Sequence, residues 1–278
     1  MNLTQAVLHA QSLGIARLDA QMLLLYALGR SPHDRAWLLA HGQDTLADQS
    51  VATLDDLALR RSRGEPLAYI TGHKEFYGLD LQVDARVLDP RDDTETLVDW
   101  ALQIMDGWAP ATGATPTAID LGTGSGAIAL ALKSSRPDWQ IHALDCSAEA
   151  LAVAQANALR LGLAVEFRHG LWLQDVRQRF ALMVSNPPYI PARDNHLQAL
   201  MHEPLLALAS GEDGLDAIRA ITAQAPACLE AGGWLLLEHG YDQAAAVRML
   251  LHNAGFHHVQ SRRDLAGIER CSGGQWNP

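Results

Sequence analysis

The spacing of apolar residues divides the chain into two textures. Over roughly residues 1–65, apolar side chains recur at helical spacing and are interrupted by turn residues. Leu3 to Leu13 runs up to Gly14, Leu18 to Leu28 up to Gly29, and Asp34 to Ala40 nearly to Gly42. A fourth pattern, Leu46 to Arg63, ends at Gly64 and Pro66. Helices this short are marginal alone, so the pattern predicts a small helical bundle held by mutual packing. Residues 67–88 change character. Tyr69-Ile70, Glu75-Phe76-Tyr77 and Leu79–Val83, punctuated by Gly72 and Gly78, predict a β-hairpin connector.

From about Thr94, apolar runs of strand length alternate with helical patterns. Thr117–Leu121 precedes Ala127–Lys133, and Gln140–Leu144 precedes Ala148–Leu161. Ala164–Phe167, Ala181–Val184, Leu215–Leu229, Trp234–Leu237 and Gln243–Ala254 follow. This alternation predicts an α/β fold with a mostly parallel sheet covered on both faces. His257–Gln260 and Ile268–Cys271 have no helix between them and predict an antiparallel closing pair. The expected organisation is a helical domain over 1–65, a hairpin linker over 66–88 and an α/β domain over 89–278.

At 278 residues and 48% hydrophobic, the chain can bury a sizeable core. Its longest purely apolar run, near Met22–Leu25, falls far short of a membrane span. The start, Met1-Asn2-Leu3-Thr4, lacks the basic-then-apolar signature of a secretory leader. Cys146, Cys228 and Cys271 are odd in number and not spaced for a metal, so a reducing, cytoplasmic setting is expected. The twelve histidines are scattered, no metal is expected, and the seven tryptophans read as packing residues. Formal net charge is −11, with 7 Lys/Arg against 10 Asp/Glu over residues 1–84 and 14 against 22 beyond. Neither portion is basic, which disfavours nucleic acid as the main partner.

Two motifs carry candidate chemistry. Asp120-Leu121-Gly122-Thr123-Gly124-Ser125-Gly126 follows a strand-like run and opens a helix. Its glycines let the backbone turn sharply and approach a ligand. Asp145 ends the next predicted strand, where its carboxylate can accept from two ribose hydroxyls. The glycine spacing also fits a loose dinucleotide fingerprint. Two features favour S-adenosylmethionine instead. Asp120 would oppose a pyrophosphate but suits a ligand carrying an ammonium and a sulfonium. The second motif, Asn186-Pro187-Pro188-Tyr189, equips a holder for an –NH2 group that hydride transfer does not need. Its prolines stop the strand Phe180–Ser185, at the end where open α/β sheets bind ligands. There the Asn186 oxygen and the Pro187 carbonyl can accept one N–H each, and Tyr189 can cover the face. A plain Pro-rich turn after a core strand is the alternative reading of that stretch.

Asp120–Gly126 with Asn186–Tyr189 resembles the Rossmann-like S-adenosylmethionine-dependent N-methyltransferases acting on adenine N6 in DNA or on glutamine amides in proteins. Further stretches are similar to the protein-(glutamine-N5) methyltransferases of peptide-chain release factors, the PrmC/HemK family. They are Gly64–Ile70 with Gly72, Glu75-Phe76 and Gly78, then Pro90-Arg91-x-Asp93-Thr94-Glu95 and Glu203-Pro204. Gly211–Asp216, Glu238-x-Gly240-x-x-Gln243 and Asp264-Leu265-Ala266-Gly267-x-x-Arg270 continue the match, which spans roughly residues 60–272. Asp89 and Asp92 depart from the family pattern, which has an apolar residue and a proline there. No carboxylate stands near His169-Gly170, where the family often offers one to adenine; Gly170, Leu171 and Trp172 occupy that place.

The resemblance implies a Rossmann-like methyltransferase with a mostly parallel seven-stranded sheet. It implies methyl transfer to the glutamine of a release factor's Gly-Gly-Gln loop, with S-adenosylhomocysteine as product. Asn186, Pro187 and Tyr189 are the expected catalytic residues, and Asn186–Tyr189 the expected substrate holders. Asp120, Gly122, Thr123, Gly124, Gly126, Asp145, Cys146 and Asn186 are the expected cofactor residues. Cys146 lines the cofactor pocket or is an inert small residue. Arg91 and Glu95 either touch the ligand or pair around the helix from Thr94. The partner is a release factor, no membrane is involved, and a monomer is expected. An adenine-N6 nucleic-acid methyltransferase is the alternative activity, and a non-catalytic binding module the third reading.

Overall fold

The computed structural model describes residues 1–109, 113 and 115–278. The chain divides into two compact units, Met1–His73 and Lys74–Pro278. In the first, five helices pack together: α1 (Leu3–Ser12), α2 (Arg17–Ala27), α3 (Arg35–Ala40), α4 (Asp48–Ser62) and α5 (Leu67–Thr71). Asn2 caps α1 reciprocally with Gln5, satisfying two N–H groups the first turn would leave unpaired. Ala6, Ala10, Ala20, Leu23, Leu24, Leu54, Leu57 and Ile70 form the core of the unit. The expected bundle is present. Tyr69-Ile70, however, lies in α5 and not in a strand. Pro66 fixes the entry to that short helix and Gly72, at φ +76°, stops it one turn later.

The second unit opens on the hairpin of β1 (His73–Phe76) and β2 (Leu79–Gln82). Gln82 is tied down by Asn157, whose Oδ1 accepts from Gln82 N–H at 2.8 Å and whose Nδ2 donates to Gln82 C=O at 2.9 Å. The same fully buried Nδ2 donates to the carbonyl of Ser125. One side chain thus fastens the hairpin to the glycine loop.

The remaining elements alternate as the apolar pattern predicts: α6 (Glu95–Gly107), β3 (Thr117–Leu121), α7 (Ala127–Ser135), β4 (Gln140–Asp145), α8 (Ala148–Leu161) and β5 (Val165–His169). Then come β6 (Phe180–Ser185), α9 (Asp216–Cys228), β7 (Leu229–Glu238), α10 (Ala244–Asn253), β8 (His257–Arg263) and β9 (Glu269–Gln275). The seven sheet strands lie in the order β5-β4-β3-β6-β7-β9-β8. The first five are parallel, and β9 runs antiparallel to both β7 and β8. This is the mostly parallel seven-stranded sheet expected. All six residues of β6 are buried, as a central strand covered on both faces requires. Strand order reverses between β3 and β6, so the carboxyl ends of those strands flank the topological switch point where such sheets bind ligands.

Candidate active site

Both motifs emerge side by side at that switch point. Asp120 of β3 is in register with Val184 of β6, which sets Gly122 beside Asn186 two residues further on. Ser185 Oγ donates to the Leu121 carbonyl at 2.6 Å and holds the two strand ends together.

The three loop glycines have separable jobs. Gly122, Gly124 and Gly126 all have positive φ, at 74°, 56° and 86°, where a side chain is strained. A Cβ on Gly126 would press on Leu130 and Ala154 at 3.1 and 3.2 Å, so this glycine lets α7 pack closely. A Cβ on Gly122 would touch the Trp172 ring at 3.5 Å. A Cβ on Gly124 would meet nothing within 4 Å among the described residues, so the backbone there faces open space. Gly124 is the position at which a ligand can approach the main chain.

Asp145 and Asp120 flank this opening. Asp145 Oδ2 accepts from Gly124 N–H and Oδ1 from Ser147 N–H, each at 2.9 Å. Each oxygen keeps a lone pair, so the carboxylate is oriented yet able to accept two hydroxyls. Asp120 is fully buried. Its Oδ2 accepts from Thr123 Oγ1 at 2.6 Å and from Ala129 N–H at 3.3 Å. Its Oδ1 finds no partner among the described residues. Burial pushes the Asp120 carboxyl up to about 7, against the pull of those two donors. A buried acceptor left unpaired is costly, and a cationic group from a ligand would relieve that cost. The donor set fits S-adenosylmethionine: open backbone at Gly124, a ribose acceptor at Asp145 and an unspent acid at Asp120.

On the acceptor side, Asn186 Nδ2 donates to Thr94 Oγ1 at 3.2 Å. With its nitrogen engaged by Thr94, the side chain keeps Oδ1 as an acceptor for another group. Behind this pair lies Glu238, the fully buried last residue of β7. Burial pushes its carboxyl up to about 7, with Thr94 and Asn186 pulling it down through hydrogen bonding and Asp93 pushing it up. Tyr189 is partly buried, and burial together with Glu238 drives its hydroxyl well above the usual range. The phenol is therefore neutral.

The rest of the stretch is pinned by Gln243. Its Nε2 donates to the Tyr189 carbonyl at 3.0 Å and its Oε1 accepts from Gly240 N–H at 2.8 Å. Gly214, at φ +79°, leaves room for that same carbonyl, which any Cβ there would overlap.

Arg91 donates to Glu203 at 2.5 Å and lies 3.6 Å from Asp89, while Glu95 accepts from the backbone N–H of Tyr77 at 2.9 Å. Each therefore has a structural partner. Cys146 is half-buried, its thiol pushed up by burial and its carbonyl bonded to His169 Nε2 at 2.9 Å. Gly170 N–H donates to the Asp145 carbonyl at 3.0 Å. Leu171 is exposed, and Trp172, at φ +51°, lays its ring against Gly122. Thr94, Glu238 and Gln243 are the site residues that the motif reading did not assign. Thr94 and Glu238 stand in stretches that carry the family resemblance, but nothing in the sequence pairs them with Asn186, from which they lie 92 and 52 residues away.

Residues 1–72 match the family model for the PrmC N-terminal domain, and residues 99–259 the model for the methyltransferase small domain. Release factor glutamine methyltransferase of Xylella fastidiosa (strain 9a5c) is 48% identical over 97% of each chain. The Pseudomonas aeruginosa enzyme of that name is 49% identical over 94% of this chain and 93% of its own. Among solved structures, the hMettl16 catalytic domain bound to an MAT2A 3′UTR hairpin superposes with a TM-score of 0.60 at 14% identity, covering 92% of this chain and 93% of that one. At that identity the likeness speaks for the fold alone. With identity near one half along almost the whole length, the chain belongs to the release factor glutamine methyltransferase family.

Proposed function

We propose that this protein transfers a methyl group from S-adenosylmethionine to the side-chain amide nitrogen, N5, of the glutamine in the Gly-Gly-Gln loop of peptide-chain release factors. The observation that carries the reading is the orientation of Asn186. Its nitrogen is engaged by Thr94, leaving Oδ1 as an acceptor at the mouth of the glycine loop. The Asn186 oxygen and the carbonyl of Pro187, the next residue in the chain, are the two acceptors we assign to a planar –NH2 group.

When bound, S-adenosylmethionine supplies a methyl group already activated on a sulfonium. The residues of the chain supply alignment. Asp145, held by the Gly124 N–H, would accept from the ribose hydroxyls, and Asp120 would face the cationic portion. An amide nitrogen is a weak nucleophile because its lone pair is delocalised into the carbonyl. Asn186 Oδ1 and the Pro187 carbonyl each accept one amide hydrogen, hold the group in one rotation and stabilise positive charge as the nitrogen pyramidalises. Neutral Tyr189 packs against the side chain. The N–H of the methylated amide becomes strongly acidic and loses its proton to water, so no dedicated base is needed before transfer.

Mass spectrometry of a release factor incubated with the enzyme and isotopically labelled cofactor tests the reading. The expected result is one labelled methyl on the Gly-Gly-Gln glutamine and none on duplex DNA. Label on DNA adenine alone would replace this function with the nucleic-acid one.

A further inference from the structure

We propose that Glu238 is a positioning residue for methyl transfer, fixing the Asn186 side-chain amide with its oxygen toward the acceptor and its nitrogen toward Thr94. The inference rests on the proposed function and adds to it the element that sets the polarity of the acceptor pocket.

A side-chain amide has two faces of opposite character. One is an acceptor oxygen and the other a donor nitrogen, nearly equal in shape. An asparagine free to turn over would offer N–H to an incoming –NH2 group half of the time, and two donors repel. Something behind it must discriminate. Among the described residues, Thr94 Oγ1 accepts from Nδ2 at 3.2 Å, and the buried Glu238 carboxyl stands beside Asn186 on the neighbouring strand, since Ser185 of β6 is in register with Leu237 of β7; Thr94 and Asn186 both favour the charged form of that acid. An ionised carboxylate only accepts. Facing it, Nδ2 is the sole end of Asn186 that can turn inward, and the Thr94 hydroxyl must point its hydrogen at the acid while receiving one from Nδ2. The chain of donors has a single direction, and it ends on Glu238.

Glu238 has no other occupation that explains it. It is fully buried, and its Oε2 has no hydrogen-bond partner among the described residues. An interior carboxyl left short of partners costs stability, whereas a buried apolar residue at the end of β7 would cost none. A group that destabilises the fold yet sits against the side chain that grips the substrate fits a functional role. A protonated Glu238 could donate to Asn186 Oδ1 and turn the amide over, so the geometry also makes the acceptor pocket depend on the ionisation of this acid. The other titratable or charged groups that face it are Asp93 and Arg270 from the flanking segments, Tyr189 from the acceptor loop and Cys271 from β9. Tyr189 and Cys271 are both pushed well above neutrality by burial, and Asp93 and Arg270 form an ion pair at 3.3 Å.

A second consequence is selectivity against carboxylates. Glutamate in place of the acceptor glutamine brings two acceptor oxygens to a pocket already lined by Asn186 Oδ1 and the Pro187 carbonyl, in front of a buried negative charge. Both features reject it.

The test compares Glu238→Gln, Thr94→Val and Thr94→Ser with the parent enzyme, using full-length chain and intact release factor at saturating S-adenosylmethionine. Gln at 238 keeps the size but offers a donor, allowing Asn186 to turn over. The expected result is a fall in kcat of about ten- to hundredfold, the usual weight of a hydrogen bond to a charged group. The KM for release factor and the calorimetric affinity for the cofactor should stay within about twofold. Parent kcat should decline as pH falls through about 7, where Glu238 gains its proton, and this limb should be absent in Glu238→Gln. Asp120 also titrates near 7, but on the cofactor side, so saturating cofactor separates the two. Thr94→Val should resemble Glu238→Gln, and Thr94→Ser, which restores the hydroxyl, should recover most of the rate. A release factor carrying glutamate at the acceptor position should inhibit Glu238→Gln more strongly than the parent. Parental kcat and pH profile in Glu238→Gln would overturn the proposal, as would equal rates for the two Thr94 variants should Glu238→Gln fail to fold. A parent enzyme that leaves release factor unmethylated would instead overturn the proposed function, and the parent sample alone reports it.

Discussion

Gln243 and Tyr189 are joined across 54 residues by one hydrogen bond, Nε2 of the first donating to the carbonyl of the second at 3.0 Å. Gln243 is nearly buried and also accepts from Gly240 N–H, so it connects the exit of β7 to the far end of the acceptor segment. Gln243→Ala leaves a buried carbonyl and a buried N–H without partners. The expected cost is about 1–3 kcal/mol for each unsatisfied group, seen as a lower denaturant midpoint. Gln243→Ala and Gly214→Ala, the latter overlapping the same carbonyl, should both lower methyl transfer. Normal turnover in both variants would show that the acceptor segment does not need this support.

Asn186→Ala should bind S-adenosylmethionine normally and lose methyl transfer by orders of magnitude. Its Oδ1 is assigned to the acceptor amide, and its Nδ2 donates to Thr94 and not to the cofactor loop. Calorimetry and turnover on one preparation decide the matter. An active variant would remove Asn186 from the mechanism.

The division between what the sequence discloses and what it hides follows contact range. The glycine loop, the strand before it and Asp145 are local in the chain, and strand–helix alternation alone places them at one edge of a sheet. Asn186-Pro187-Pro188-Tyr189 announces itself because two prolines force a strand to end. The closing antiparallel pair is legible from the missing helix between β8 and β9. Glu238 is not legible as a partner of Asn186, since an acid closing an apolar strand looks like any solvent-exposed terminus. Only the adjacency of β6 and β7 turns it inward against Thr94. Tyr69-Ile70 misleads because β-favouring residues in a short segment yield to the proline before them and the left-handed glycine after.

Asp145→Ala should weaken the cofactor about ten- to hundredfold by removing an acceptor for ribose hydroxyls. Because the carboxylate also holds Gly124 and Ser147 N–H, the melting temperature of the cofactor-free protein should fall too. The loop glycines should separate these effects. Gly126→Ala, crowded by Leu130 and Ala154, should mainly lower stability; Gly124→Ala, facing open space, should mainly lower cofactor affinity. An unchanged dissociation constant in Asp145→Ala would contradict the ribose role.

Stability should rise as pH falls from about 8 toward 5, opposite to the trend for surface ion pairs. Asp120 and Glu238 are each pushed up to about 7 by burial, so the folded state holds their protons more tightly than the unfolded chain does. For a raised carboxyl, the favourable contribution is complete below the unfolded pKa and is lost as pH rises through the folded one. Asp120→Asn and Glu238→Gln should each flatten part of this slope in chemical denaturation. A parent protein whose stability falls throughout that range would show that other groups dominate.

The helical unit is expected to dock the release factor. One amide holder cannot choose a single glutamine among all those in a cell, so selectivity needs contact away from the chemistry. Residues 1–73 form their own compact unit and contain none of the residues of the glycine loop or of Asn186–Tyr189. That unit carries a groove of about 250 Å³ between α1, α2 and α3, lined by Leu3, Val7, Leu8, Leu38 and Leu39, with Leu8 and Leu39 well exposed. A chain beginning at Lys74 retains Gln82 and its bonds to Asn157, so it should fold and bind cofactor. It should act poorly on intact release factor. In the full-length protein, the double variant Leu8→Ser/Leu39→Ser should raise the KM for release factor while leaving cofactor affinity and melting temperature in place. A fully active truncated chain would sink the docking role. An insoluble one, together with an unchanged KM in the double variant, would make the helices a structural cover instead.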